Sequence, residues 1–153
     1  MKFEFQPMDQ DWAQAIAGWH YEGIYAFYDM EQDAEDLEEL LDPRSWNDQY
    51  YAVTDDQGDL VGFFCFEREE EVVVIGLGLR PDLTGRGWGQ AFFEAGLEFA
   101  REKYQPASFV LSVATFNQRA INVYRRAGFE DTEIFLNETN GGQYEFLRLA
   151  RDA

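Results

Sequence analysis

Val72-Val73-Val74-Ile75-Gly76-Leu77-Gly78-Leu79-Arg80-Pro81-Asp82-Leu83-Thr84-Gly85-Arg86-Gly87-Trp88-Gly89-Gln90 carries two periodicities in one stretch. Val72 to Leu79 is a nearly continuous β-branched and apolar run, the pattern of a central strand covered on both faces. From Gly87 to Tyr104 the spacing turns helical, with Phe92, Ala95, Gly96, Phe99 and Ala100 on one side, until Pro106 breaks it. Between the two, Gly85, Gly87 and Gly89 free the backbone of Cβ interference, so successive N–H groups can turn inward at a helix N-terminus. Such a cradle suits a pyrophosphate, because backbone donors and the positive end of the helix dipole hold an anion without basic side chains. A tight strand-to-helix connection would use the same glycines. Two other phosphate motifs fail on spacing. A dinucleotide fingerprint needs glycine where Gln90 stands, and a P-loop needs Gly-Lys-Ser/Thr, which does not occur.

Outward from this stretch the chain reads without repeats, low-complexity tracts or linkers. Lys2 to Gln6 alternates like a strand, and Asp9 N-caps a helix with Trp12, Ala15, Ile16 and Trp19 on one face. After an aromatic segment from His20 to Asp29, Asp33 opens a second amphipathic helix through Ala34, Leu37, Leu40 and Leu41, with Pro43 past its end. Strands are expected over Gln49 to Thr54 and Leu60 to Glu67, joined by the turn Asp55-Asp56-Gln57-Gly58, with a further acidic turn at Glu69 to Glu71. Ser108 to Ala114 is another strand, Asn117 to Ala127 a helix ended by Gly128, and Glu130 to Leu136 and Gln143 to Leu149 close the chain as strands. The order β, α, α, β, β, β, α, β, α, β, β predicts one α/β domain, a mixed sheet with helices on both faces and ligand room where strands diverge.

The 153 residues suffice for one hydrophobic core, with 46% hydrophobic and 17% aromatic content. Twelve Lys plus Arg against 30 Asp plus Glu leave a formal charge of −18, which repels nucleic-acid backbones and anionic membrane surfaces and favours a cationic partner. The N-terminus lacks the charged start and apolar run of a signal peptide, and the lone Cys65 has no partner for an internal disulfide. A soluble cytoplasmic protein is expected, with neither nucleic acid nor membrane as partner.

A second motif, Asn117-Gln118-Arg119-Ala120-Ile121-Asn122-Val123-Tyr124-Arg125-Arg126-Ala127-Gly128-Phe129, begins 30 residues after Gly87. Together the two resemble the signatures of the GCN5-related N-acetyltransferase (GNAT) family: an apolar triplet, a proline and a Gln/Arg-x-x-Gly-x-Gly/Ala loop, then Asn-x-x-Ala-x-x-x-Tyr-x-x-x-Gly-Phe. The loop departs from the pattern at Thr84, where the family has Gln or Arg. The resemblance implies a mostly antiparallel sheet of about seven strands flanked by four helices. It implies acetyl-CoA as acyl donor, no metal, and a primary amine of a small molecule or peptide as acceptor; it leaves a homodimer open.

Carried over by position, the resemblance places coenzyme A against Leu77, Gly78 and Leu79, with the Leu79 N–H polarising the thioester. It places the loop Thr84, Gly85, Arg86, Gly87, Trp88, Gly89 and Gln90 on the pyrophosphate, with the Thr84 hydroxyl adding to the backbone donors. Asn117 falls to the pantetheine arm and Tyr124 to the leaving sulfur as general acid. Asn117 also reads as a helix N-cap and Tyr124 as a core aromatic. Arg80, Arg86 and Arg119 stand where phosphates would be met.

Acetyl transfer also needs a neutral amine. The glutamates that many relatives carry are missing: the central strand is apolar and Ser112 occupies the second position. His20, Glu22, Tyr25, Tyr28 and Asp29 are the remaining candidates for a base. Cys65 lies in an apolar strand and reads as an inert thiol, and the acidic runs at residues 31–39 and 67–71 read as solvated faces. The alternative from another class is a non-catalytic acyl-CoA sensor that keeps the loop and lacks the acid and base.

Overall fold

The computed structural model describes residues 2–153. Its strands are β1 (Glu4–Pro7), β2 (Tyr50–Thr54), β3 (Leu60–Glu69), β4 (Val72–Leu79), β5 (Ser108–Ala114), β6 (Glu130–Thr139) and β7 (Gly142–Asp152). The α-helices are α1 (Gln10–Ala17), α2 (Ala34–Leu41), α3 (Gly89–Tyr104) and α4 (Gln118–Arg126). They form a seven-stranded sheet in the order β1-β2-β3-β4-β5-β7-β6, antiparallel throughout except where β4 meets β5. The expected sequence of elements is therefore observed. So is the central place of the apolar run, since β4 is the fourth strand of seven.

Both faces carry helices, but unequally. On one face α3 and α4 pack Phe92, Phe93, Leu97 and Ile121 against Phe64, Phe66, Val73, Ile75 and Leu111. A Cβ at Gly96 would run into the Phe64 ring, so the glycine is what lets α3 sit this close to the sheet. On the other face the short helices α1 and α2 bring Ala13, Ile16 and Leu40 onto Ala52 and Phe63 of β2 and β3. They stop short of β4, which corrects one expectation: Val73 and Ile75 are buried, whereas Gly76 is exposed and Val72, Val74 and Gly78 are only half-buried. The strand is apolar on its second face because that face forms the floor of a cleft.

Two further departures have local causes. The third helix starts at Gly89 and not at Gly87, because Gly85 (φ +73°) and Gly87 (φ +82°) hold left-handed backbone that a helix cannot include. The closing hairpin is longer than expected, since Asn140 (φ 51°) and Gly141 (φ 75°) make a two-residue turn with both residues left-handed, which lets β6 and β7 pair up to Thr139 and Gly142. That tip is also a clamp. Asp33 Oδ2, on the residue that caps α2, accepts the Thr139 hydroxyl and the Asn140 N–H at 3.0 and 3.1 Å, and the Asn140 amide donates to the Phe27 carbonyl at 2.7 Å.

Candidate active site

The site is built where two strands part. The ladder between β4 and β5 runs only from Val72–Ser108 to Val74–Val110, so Ile75 to Leu79 have no strand beside them on that side. Arg80 N–H donates to Val61 O of β3 at 2.7 Å. Strand alternation therefore turns the N–H groups of Leu79 and Leu77 the other way, into the gap. On the far side, Thr115 N–H donates to Glu145 O of β7, which by the same alternation turns Ala114 N–H into the gap. Two tyrosines of the segment after α1 bridge these freed groups. The Tyr21 hydroxyl donates to Leu79 O at 2.8 Å, and the Tyr28 hydroxyl accepts from Ala114 N–H at 3.2 Å. Each edge of the gap thus has a backbone group satisfied by one of these tyrosines, and a cavity of about 790 Å³ runs between the strands.

The glycine loop forms one end of this cavity. Thr84, Gly85, Gly87, Gly89 and Gln90 line it together with Leu77, Gly78 and Leu79, whereas Arg86 is exposed and neither it nor Trp88 belongs to the lining. A Cβ on Gly87 would meet nothing within 4 Å, so the loop leaves open space there, whereas one on Gly85 would press on the Arg119 guanidinium at 3.2 Å. The Thr84 hydroxyl donates to the Pro81 carbonyl at 2.7 Å, closing the turn that precedes the loop. Gln90 Nε2 donates to Val123 O at 3.3 Å, which leaves its buried Oε1 without a partner. Of the three arginines singled out, Arg119 lies over the Tyr25 ring, 4.2 Å from its centre, and lines the cavity. Arg80 is engaged by Asp82 at 2.6 and 3.1 Å and by Leu60 O at 2.8 Å.

The second motif supplies the opposite wall. Asn117 Oδ1 accepts from Ala120 N–H at 3.2 Å, the expected cap of α4. Asn117 and Tyr124 are both buried and both line the cavity. Tyr124 packs on Phe93, with ring centres 4.8 Å apart, and no hydrogen bond to another described residue engages its hydroxyl. Burial first, and then the proximity of Tyr28, push its pKa well above the ordinary phenol value, so at neutral pH it holds its proton firmly.

Beyond the gap the cavity widens toward the segment after α1. Asp29, Asp36, Glu39 and Glu67 line this part, among the rings of Tyr21, Tyr25, Phe27 and Tyr50. Asp36 is pushed up to about 6, by burial first and then by the neighbouring charges of Asp33, Glu39 and Glu35, although part of its surface faces water. Asp29, 7% exposed, accepts Tyr21 N–H at 2.8 Å on one oxygen and faces His20 Nδ1 at 3.1 Å with the other. His20 itself does not line the cavity; it stands outside between Asp29 and Glu31, the three offering their donor atoms within 4.8 Å of one another. Cys65 does line it, but burial pushes its thiol up to about 12, so it carries no nucleophilic thiolate at neutral pH. Sequence reasoning missed Asp36, Glu39, Glu67 and Asn140 as cavity residues. The acidic ones had read as solvated faces and are indeed exposed where they line the wide end, and the Asn140-Gly141 turn was the one available signal for the hairpin tip.

Fold and site together define a mixed sheet opened by a slot between two splayed strands, with a glycine loop at one end of the slot. The chain belongs to the acetyltransferase (GNAT) family, whose model matches residues 12–129. Its sequence is 31% identical over 128 residues to mycothiol acetyltransferase of Propionibacterium freudenreichii, covering 79% of this chain and 40% of that protein. A mycothiol acetyltransferase of Streptomyces coelicolor is 35% identical over 91 residues, 56% of this chain and 28% of that one. The chain thus spans well under half the length of these curated relatives. Among solved structures, the fold is similar to the spermidine N-acetyltransferase of Vibrio cholerae in complex with CoA and spermine, with a TM-score of 0.79, 16% identity and coverage of 98% and 95% of the two chains. It is likewise similar to a GNAT-family acetyltransferase of Bacillus anthracis, with a TM-score of 0.77, 13% identity and coverage of 99% and 95%. Among the described residues no helix is long and apolar enough to cross a membrane.

Proposed function

We infer that this protein is an acetyl-CoA-dependent N-acetyltransferase acting directly on a primary amine of a small molecule or peptide, with a cationic acceptor favoured. The gap between β4 and β5 carries this reading: strand N–H groups face into it, the glycine loop closes one end, and a protonated, unpartnered tyrosine stands in its wall. The residues fit the donor. Open space over Gly87 admits phosphates against the backbone, Arg119 stands beside Gly85 to meet their charge, and the orphaned Gln90 Oε1 offers an acceptor to an amide N–H.

When bound, acetyl-CoA supplies an acetyl group activated as a thioester. The Leu79 N–H is the donor available for negative charge developing on the carbonyl oxygen. Tyr124 gives its proton to the sulfur as the carbon–sulfur bond breaks and the carbon–nitrogen bond forms. The proton shed by the amine nitrogen balances the one Tyr124 released, and Asp29, with exposed His20 behind it, offers a route between cavity and solvent. The reading predicts that acetyl-CoA raises the melting temperature while NAD and ATP at equal concentration do not, and that a panel of amines yields thiol release with acetylated products detected by mass. An equal shift with ATP would sink the assignment of the loop; tight binding without turnover on any amine would make the protein a binding module.

The carboxylates at the wide end give the acceptor site a pH dependence of definite sign. Because Asp36 titrates near 6, it is an anion above that pH and is neutralised below it. A cationic acceptor should therefore bind more weakly as pH falls from about 7 to about 5, by up to roughly fivefold for one partly exposed ion pair. Acceptor affinity measured at both pH values checks this, and Asp36→Asn should flatten the difference.

A further inference from the structure

We propose that Tyr28 is a second catalytic hydroxyl of this site, donating a hydrogen bond to the sulfur of the leaving group beside Tyr124; the proposal rests on the acyl-transfer reading above. What points to it is how the oxygen of Tyr28 is already used. Ala114 N–H donates to it at 3.2 Å. A phenolic oxygen that accepts this N–H keeps its own proton to offer, and that proton points away from the donor.

The remaining direction is the cavity that Tyr28 lines. Phe27 stands edge-on to the ring at 88° with centres 5.3 Å apart, and Phe116 lies 6.0 Å away, so the phenol is held in place. Tyr28 and Tyr124 line the same cavity, so the two hydroxyls serve one space, and neither donates to another described side chain. Burial keeps the Tyr28 phenol protonated, and its proximity helps to hold the proton on Tyr124. In the transfer step Tyr124 hands its proton to sulfur, while Tyr28 keeps its own and stabilises the negative charge by hydrogen bonding. No further oxidant, reductant or group is needed for balance. The segment after α1 thus does more than wall the acceptor side, since through Tyr28 it reaches the leaving group.

The test reads the thiol of bound coenzyme A directly, as the ultraviolet difference between its complex and that of S-methyl-coenzyme A across a pH titration. In the wild-type protein the bound thiol should ionise at lower pH than in Tyr28→Phe. The variant should also lose about tenfold to a hundredfold in kcat. Tyr28→Phe combined with Tyr124→Phe should cost less than the product of the single losses, because both hydroxyls act on the same charge. Phenylalanine also removes the acceptor for Ala114 N–H, so a fluorotyrosine at position 28, which keeps that acceptor and has a more acidic O–H, separates donation from scaffolding. It should lower the bound thiol's titration point below that of the wild type. An unchanged thiol titration in Tyr28→Phe, or a fluorotyrosine protein indistinguishable from it, overturns the role of Tyr28. Turnover by Tyr28→Phe at the wild-type rate overturns it while leaving the acyl-transfer reading intact, and a wild-type protein inactive on every amine removes both.

Discussion

Tyr124→Phe is expected to lower kcat by roughly tenfold to a few hundredfold while leaving coenzyme A affinity almost unchanged. A positioned acid can contribute more than this, but a thiolate is already a good leaving group, which sets the effect at the lower end. Phenylalanine keeps the ring that packs against Phe93 and Phe129, so no cavity opens in the core. The hydroxyl is not hydrogen-bonded to another described residue, so its loss leaves no partner unsatisfied and the melting temperature should hold or rise slightly. Because the charge on sulfur develops only in the transition state, kcat and kcat/KM should fall together. Steady-state kinetics with a productive acceptor decide the matter: turnover at the wild-type rate would reduce Tyr124 to a packing residue.

Gly87→Val should abolish measurable coenzyme A binding, a loss expected to exceed a hundredfold. At φ +82° a β-branched residue is strained by about 1–2 kcal/mol, so the loop either distorts or carries the strain. If it does not distort, the new side chain stands in the open space over the loop, where the phosphates are expected. Since that space is empty of protein atoms, the fold itself should survive, with α3 still anchored by Phe92, Phe93 and Leu97. Calorimetric titration with coenzyme A, alongside circular dichroism of the variant, separates the two effects. Undiminished affinity would mean that the loop only turns the chain.

Much of this was legible in the residues because the signals were local. Asp9, Asp33 and Asn117 cap their helices as their position before apolar helical runs foretells. The glycines at 85 and 87 adopt the left-handed backbone that only their lack of a side chain makes cheap. The two motifs carried Tyr124 and Asn117 into one cavity as the family resemblance implied. Thr84 lines the cavity, and its hydroxyl also closes the preceding turn, as a threonine hydroxyl three residues after a carbonyl readily does.

The acidic lining shows the other limit. Asp36 and Glu39 read as a solvated helix face, and both are exposed. Periodicity reports which residues share a side and not what lies opposite, so that they also border the cavity follows only from where α2 packs on β2 and β3. By itself the sequence determined the order of elements, the glycine loop, the helix caps and the identity of the tyrosines, since each follows from neighbours a few residues apart. The tertiary structure alone decided that β4 and β5 part after Val74, that Tyr21 and Tyr28 reach the edges of the gap from positions 58 and 86 residues away in sequence, and that the tip at Asn140 clamps the segment carrying them. Such contacts form between groups whose meeting is set by how whole strands and helices pack, and no short-range pattern encodes that distance.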